Sequence, residues 1–263
     1  MNAEELSLPI DWASLWTTWL ILSEDQYRDP EFLAKMKGLM IAYHLDDAKG
    51  CAEGFVALQK AALVEGKLEE LFLLAWMVDH GVGVEQDVQA ALTLYLRAAN
   101  RGHPDAQFNV GVMYDRADEG VVERDAVKAA HYYKLAVAQG VKDAQYSLAY
   151  LYADGDGVER DYIKAVYLYD LAVKQGDKDS MYNVGEIFER GVAGVPQDLR
   201  KAVEYYNLAG DLRSSNKMGL MYRAGSGVPR DTAKAVQCYQ VAAQHGSTVG
   251  RMAAQSLIYG GQL

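Results

Sequence analysis

The residues with most chemistry to offer lie in the run Asp154-Gly155-Asp156-Gly157-Val158-Glu159-Arg160-Asp161, where carboxylates alternate with other residues. Acids at alternating positions are what a calcium loop presents. A calcium-binding helix-loop-helix needs a longer ligand series that closes on a bidentate glutamate. Here a helix restarts at Asp161, and the corresponding stretches GVGVEQD (81–87) and GSGVPRD (225–231) lack the alternating acids. The run therefore reads as a turn. His44, His80, His103, His131 and His245 occupy unlike positions, and no two have the i, i+4 spacing of a helical zinc site. His103 and His245 flank glycines that stop helices and are expected at the surface. No serine or cysteine sits in a nucleophile motif. Gly81 and Gly83 precede a helix but follow no strand, which argues against a phosphate loop. Cys51 and Cys238 are too far apart and too unlike in context for a metal site or a disulfide framework. Cys238, beside a core tyrosine, reads as a small buried hydrophobe. No metal, no cofactor and no catalytic group is expected, and an enzyme is the least supported class.

Those acids belong to a frame that the chain writes repeatedly. Asp161 is followed by Ala165, Tyr169, Ala172 and Gly176. The same residue types follow Asp87 (Ala91, Tyr95, Ala98, Gly102), Asp125 (Ala129, Tyr133, Ala136, Gly140) and Asp231 (Ala235, Tyr239, Ala242, Gly246). Asp198 gives Ala202, Tyr206 and Ala209, but Arg213 stands where the glycine should be, and the junction there is expected to turn differently. A period in the thirties marks a solenoid of stacked helix pairs. Each aspartate caps a helix B, and the final glycine supplies the left-handed residue that ends it. The preceding helix A carries a small residue and, three later, an aromatic: Gly111 and Tyr114, Ala149 and Tyr152, Gly185 and Phe188, Gly219 and Tyr222. The first full repeat has Ala75 with Val78, and the terminal helix has Ser256 with Tyr259. Small residues let helices approach while the rings fill the space beside them. The turn before Asp125, EGVVERD, is one residue longer than the others and is expected to bulge.

The chain has 263 residues, half of them hydrophobic, and a formal net charge of −10. That balance argues against a nucleic-acid partner, which usually needs a basic face. At the start, Glu4 and Glu5 precede an apolar run that Asp11 interrupts, unlike a secretory signal. With few thiols besides, a cytoplasmic protein is expected. Asp11 caps a helix whose Trp12, Leu15, Trp16, Trp19 and Leu20 share one face. That stripe reads as a cap on the open end of the solenoid; an exposed patch for a partner or a membrane surface is the alternative. Asp29-Pro30-Glu31 starts a helix running to about Leu45, and a second follows from about Gly50 to Leu63.

The motif A-x-[FY]-x-[LV]-[GA]-x-x-Y appears as AQFNVGVMY (106–114) and AQYSLAYLY (144–152). It is followed by G-V-x-x-D, as GVPRD (227–231), and by K-A-x-x-x-Y-x-x-A-x-x-x-G, as KAVQCYQVAAQHG (234–246). These resemble the Sel-one-like repeat family, relatives of the tetratricopeptide repeats. The resemblance implies an all-α fold, a right-handed α-solenoid (superhelix) of stacked antiparallel helix pairs, and a role in holding other proteins. Its expected organisation is an N-terminal capping region over 1–30, a degenerate first repeat over 31–67, and five repeats with a capping helix over 68–263, the whole one continuous solenoid. Some secreted members carry a disulfide in every repeat; this chain lacks those cysteines, which argues against such a secreted role.

In stacked helix pairs the A helices line the inner curve. With the small residue buried, the next residue and those four and five beyond it face the groove. Those are Trp76, Asp79 and His80; Val112, Asp115 and Arg116; Tyr150, Ala153 and Asp154; Glu186, Glu189 and Arg190; then Leu220 and Arg223. Phe72, Phe108, Tyr146 and Tyr182, three before the small residue, either pack between repeats or line the groove. The groove positions vary while the frame does not, as expected of a fixed scaffold with a chosen ligand. Trp76, Tyr150 and Leu220 offer apolar anchors, and Arg116, Arg190 and Arg223 face acidic or C-terminal groups. The expected function is a non-catalytic scaffold binding a partner protein or peptide, one with a basic surface suiting the acidic chain. It would act as an adaptor, regulator or inhibitor of the immunity type. A membrane-associated scaffold using the Trp face is the alternative.

Overall fold

The computed structural model describes residues 66–117 and 122–259, together with 55, 56, 58–60, 62 and 63. The Trp12–Leu20 helix, the helix from Asp29, most of the Gly50–Leu63 helix and residues 118–121 of the longer turn lie outside the described residues. The helices are α1 Leu68–His80, α2 Val88–Ala99, α3 Pro104–Arg116, α4 Ala126–Ala138, α5 Lys142–Asp154 and α6 Tyr162–Lys174. They continue with α7 Lys178–Arg190, α8 Leu199–Ala209, α9 Leu212–Ala224, α10 Thr232–Gln244 and α11 Thr248–Tyr259. Among the described residues no strand forms; Val192 and Val195 make one isolated antiparallel bridge in the turn before α8.

Two compact units divide the chain, Met1–Asp87 and Val88–Leu263, a boundary inside the expected 68–263 span. In the first unit α1 buries Leu73 and Met77 against Leu58 and Val82, with Phe55 and Trp76 half-buried alongside. The second unit is an α-solenoid. Helices α3 and α4, α5 and α6, α7 and α8, and α9 and α10 pack as pairs, and each B helix packs on the A helix that follows.

The repeated residues explain why the pairs form. The side chains of Asp125, Asp161, Asp198 and Asp231 accept from the backbone N–H of Lys128, Lys164, Lys201 and Lys234 at 2.9–3.1 Å. That satisfies a donor which the first turn of a helix otherwise leaves open. Helix-cap bonding holds Asp125 and Asp161 below the usual carboxylate range. The aspartates' own N–H groups donate at 2.9 Å to the carbonyls of Tyr114, Tyr152, Phe188 and Tyr222. The aromatic of helix A thereby clamps the start of helix B. Lys128, Lys164, Lys201 and Lys234 then lie 5.0–5.4 Å from the centroids of those same four rings.

Inside the pairs, Tyr133, Tyr169, Tyr206 and Tyr239 are buried to 2% exposure or less, and Ala129, Ala165, Ala202 and Ala235 are fully buried. In the second, fourth and fifth repeats the tyrosine ring lies close against the glycine of helix A. A Cβ at Gly111 would stand 2.5 Å from the Tyr133 ring, at Gly185 2.7 Å from Tyr206 and at Gly219 2.5 Å from Tyr239. The turns are set on the preceding repeat. A Cβ on Gly157, whose φ is +66°, would come within 2.2 Å of the Ala126 carbonyl oxygen, and one on Gly227 within 2.4 Å of that of Leu199. At the fourth repeat, where Arg213 replaces the stop glycine, α8 ends early at Ala209 on left-handed Gly210. Asp211 at once caps α9 by accepting from Ser214 N–H at 2.7 Å.

Two expectations are corrected. His103 is not at the surface: it is 1% exposed and is the N-cap of α3, its Nδ1 accepting from Ala106 N–H at 3.3 Å. Pro104 at the first helical position leaves that cap as the start of the helix. Burial pushes its pKa down to about 4. His245 is exposed, as a C-cap. In α11 the frame falls on other residues: Gly250 and Ala254 are buried, while Ser256 and Tyr259 are exposed. Ser247 sets that register by accepting from Gly250 N–H at 2.9 Å, the cap that Asp211 makes in α9.

Candidate functional site

The apparent calcium loop resolves into structural contacts. Asp161 is a helix cap, Asp156 pairs with Arg124, and Arg160 donates to the Asp154 carbonyl at 2.7 and 3.1 Å. Among the described residues no group of three or more His, Cys, Asp and Glu is arranged to hold a metal ion. Cys238 is half-buried and burial pushes its thiol pKa up. No described helix is long and apolar enough to cross a membrane.

What remains is the face of the A helices, which helical spacing gathers around the tips of the buried tyrosines. Tyr133 Oη donates to Asp115 Oδ2 at 3.4 Å, and Tyr206 Oη donates to Glu189. Both acids stand four residues after the glycine under the ring. In the third repeat that position is Ala153, and the Tyr169 hydroxyl instead accepts from Asn183 Nδ2, on the next A helix, at 3.2 Å. Burial and the nearby carboxylates hold Tyr133 and Tyr206 well above the usual phenol range.

The fourth and fifth repeats carry the densest cluster. Lys217 Nζ lies 2.8 Å from Glu189 and 3.7 Å from Glu186, joining successive A helices. Tyr182 Oη donates to Glu186 at 3.2 Å, and Arg213 lies 4.4 Å over the Tyr182 ring while pairing with Asp179. Burial and Glu186 push Tyr182 up to about 12. Lys217, Arg213 and Asn183 are not among the groove residues that the spacing around the small residue predicts. Their signal was present: Lys217 precedes Leu220, and Asn183 precedes Glu186, by the three residues that share a helix face.

The other expected groove residues fall as follows. Tyr150 is 53% and Leu220 47% exposed, large apolar groups left open to solvent. Arg116, Asp154, Arg190 and Arg223 are exposed, and Val112 is half-buried against the core beneath. Asp115 binds Arg124 at 3.1 Å, so its carboxylate is shared between the turn and Tyr133. In the first unit, Trp76 stacks on His80 at 4.5 Å and leans on the Leu73–Met77 cluster, with Asp79 3.7 Å from His80. Phe108, Tyr146 and Tyr182 pack on Tyr133, Tyr169 and Tyr206 at 5.6–5.8 Å, serving the interior as well as the edge of the face.

Comparison with known proteins finds the same repeat and the same fold. The Sel1 repeat matches five times, over residues 71–103, 104–141, 142–177, 178–214 and 212–247. A protective antigen of uropathogenic Escherichia coli strains displaying an SLR fold superposes with a TM-score of 0.73 at 26% identity, covering 86% of this chain. The chain spans about half, 52%, of that antigen's length. A Sel1 repeat protein from Oxalobacter formigenes gives 0.68 at 26% identity, covering 86% of this chain and 89% of its own. No curated protein matches the sequence.

Proposed function

The chain belongs to the Sel1 repeat family, and from that premise we propose that it is a non-catalytic scaffold holding a partner protein or peptide against its A-helix faces. Proteins built from this repeat are generally protein-interaction scaffolds. The observation that carries the reading is the contrast along each A helix. The small residue is buried and alike in type throughout, while its neighbours run from Tyr150 and Asp154 to Glu186 and Arg190 to Leu220 and Arg223. A surface kept for packing would repeat with the frame; this one changes character in each repeat, as a surface fitted to an unlike partner would. Exposed Tyr150 and Leu220 supply anchors amid charge, the composition of an interface centre with a polar rim.

The partner we propose carries a basic surface, matched to a chain of net charge −10, and the protein acts on it as adaptor, regulator or inhibitor in the cytoplasm. The test is affinity capture with the full chain, followed by mass spectrometry of what is retained. Tyr150→Ala, Asp154→Ala and Arg190→Ala, combined in one variant, should release the captured protein while leaving the melting curve unchanged. A partner retained in full by that variant would place the interface elsewhere and overturn the reading.

A further inference from the structure

The tyrosines of the second to fifth repeats, Tyr133, Tyr169, Tyr206 and Tyr239, hold one place in the frame and differ at their tips, and the last of these four stands apart. Tyr239 lies on Gly219 as Tyr133 lies on Gly111 and Tyr206 on Gly185. Two positions satisfy the hydroxyl in the second to fourth repeats. One is the acid four residues after the glycine, Asp115 or Glu189; the other is Asn183, on the A helix that follows. In the fifth repeat the first position is Arg223, which has no acceptor to offer. On α11, Ser247 caps Gly250 as Asp177 caps Ser180, and that register puts Ala253 where Asn183 stands. The result is a tyrosine 2% exposed whose buried hydroxyl has no hydrogen-bond partner. Such a group is costly to leave open and calls for a reason.

We propose that Tyr239 Oη and Arg223 form a docking site for a carboxylate of the bound partner, either its C-terminus or an Asp or Glu side chain. The partner's carboxylate takes the place that Asp115 and Glu189 fill from within the chain in the second and fourth repeats. It accepts from the Tyr239 hydroxyl and receives charge-assisted bonds from the guanidinium, whose planar fork matches a carboxylate. The hydroxyl is closed from solvent, so the carboxylate reaches it only once a side chain beside it moves aside. Leu220, 47% exposed and three residues back on the same face, gives the partner's neighbouring apolar group a seat. The positive charge of Arg223 already lowers the Tyr239 pKa against the rise that burial causes. This site rests on the A-helix reading above and names one chemistry its partner must present.

The test titrates the full chain, watching the side-chain Nε–H resonance of Arg223 by NMR. N-acetylleucine offers an α-carboxylate, N-acetylglutamic acid α-amide a side-chain carboxylate, and N-acetylleucinamide none. One or both carboxylates should give a saturable shift and the amide should not; the tighter of the two identifies the source. Tyr239→Phe should weaken that binding about tenfold, the worth of one hydrogen bond to a charged group. Arg223→Glu, which supplies an internal acceptor, should abolish it. Stability gives an independent readout: Tyr206→Phe lowers Tm, whereas Tyr239→Phe leaves it level or higher and Arg223→Glu raises it. The absence of a saturable shift with either carboxylate, an equal shift with the amide, or a fall in Tm for Tyr239→Phe matching that of Tyr206→Phe would each overturn the site. Arg223 is untouched in the capture experiment above, so the two ideas fail separately.

Discussion

Helices B and the open faces of helices A are built from the same repeats and obey opposite rules. On helices B the aspartate, two alanines and tyrosine return each time, and the structure buries the latter three in the same way. On the A faces the residue four beyond the small one is Asp115, then Ala153, then Glu189, then Arg223. The difference separates what a repeat must do for its neighbours from what it is free to offer a partner. In a solenoid each unit buries its apolar face only against adjacent units, so the packing residues cannot drift. The tyrosine is where the two meet, its ring in the frame and its hydroxyl in the face.

The comparison breaks most visibly if the frame is cut. Tyr169→Ala should lose about 3–5 kcal/mol of stability in denaturant unfolding, the range for large buried aromatics. A loss similar to that of an exposed A-face residue would erase the distinction. The His103 cap should make stability depend on pH. Its pKa is lowered in the fold to about 4, so the unfolded chain binds the proton more readily. Stability is then full above the ordinary histidine range near 6.5, and falls as pH drops from there to about 4, by about 3 kcal/mol. His103→Asn, which keeps a cap without the titration, should flatten that slope. Gly157→Ala should cost at least about 2 kcal/mol, because its methyl meets the Ala126 carbonyl and its φ is left-handed. Gly219→Ala should cost less, about 1 kcal/mol, since Ala149 already holds a methyl at the same place in the third repeat. Smallest of all, Tyr150→Ala and Leu220→Ala should shift stability by within about 0.5 kcal/mol while weakening capture of the partner. A large stability loss from either would return that residue to the frame.

The period carried most of the architecture in the sequence, because capping, ring-on-glycine packing and turn chemistry each impose a residue type at a fixed place. Proximity to a stop glycine does not imply exposure, as buried His103 shows. The sequence shows the next helix starting immediately at Pro104, but not that its cap is buried. The slip of the frame in α11 has a similar cause: Ser256 and Tyr259 mimic the small-aromatic spacing, and only the Ser247 cap reveals the true register. On the A faces, periodicity points to Tyr150, Glu186 and Leu220 as groove residues. It did not pair Lys217 with Glu189 or strand the Tyr239 hydroxyl, because those depend on how one helix sits beside the next.

Gly157 and Gly227 rest on the first residue of the preceding B helix, at Ala126 and Leu199. A turn of this kind has nothing to sit on until the helix before it has begun. Since a ribosome delivers the chain from its N-terminus, each turn emerges when its support already exists. Assembly can then proceed in the direction of synthesis, with no earlier turn waiting for a later one.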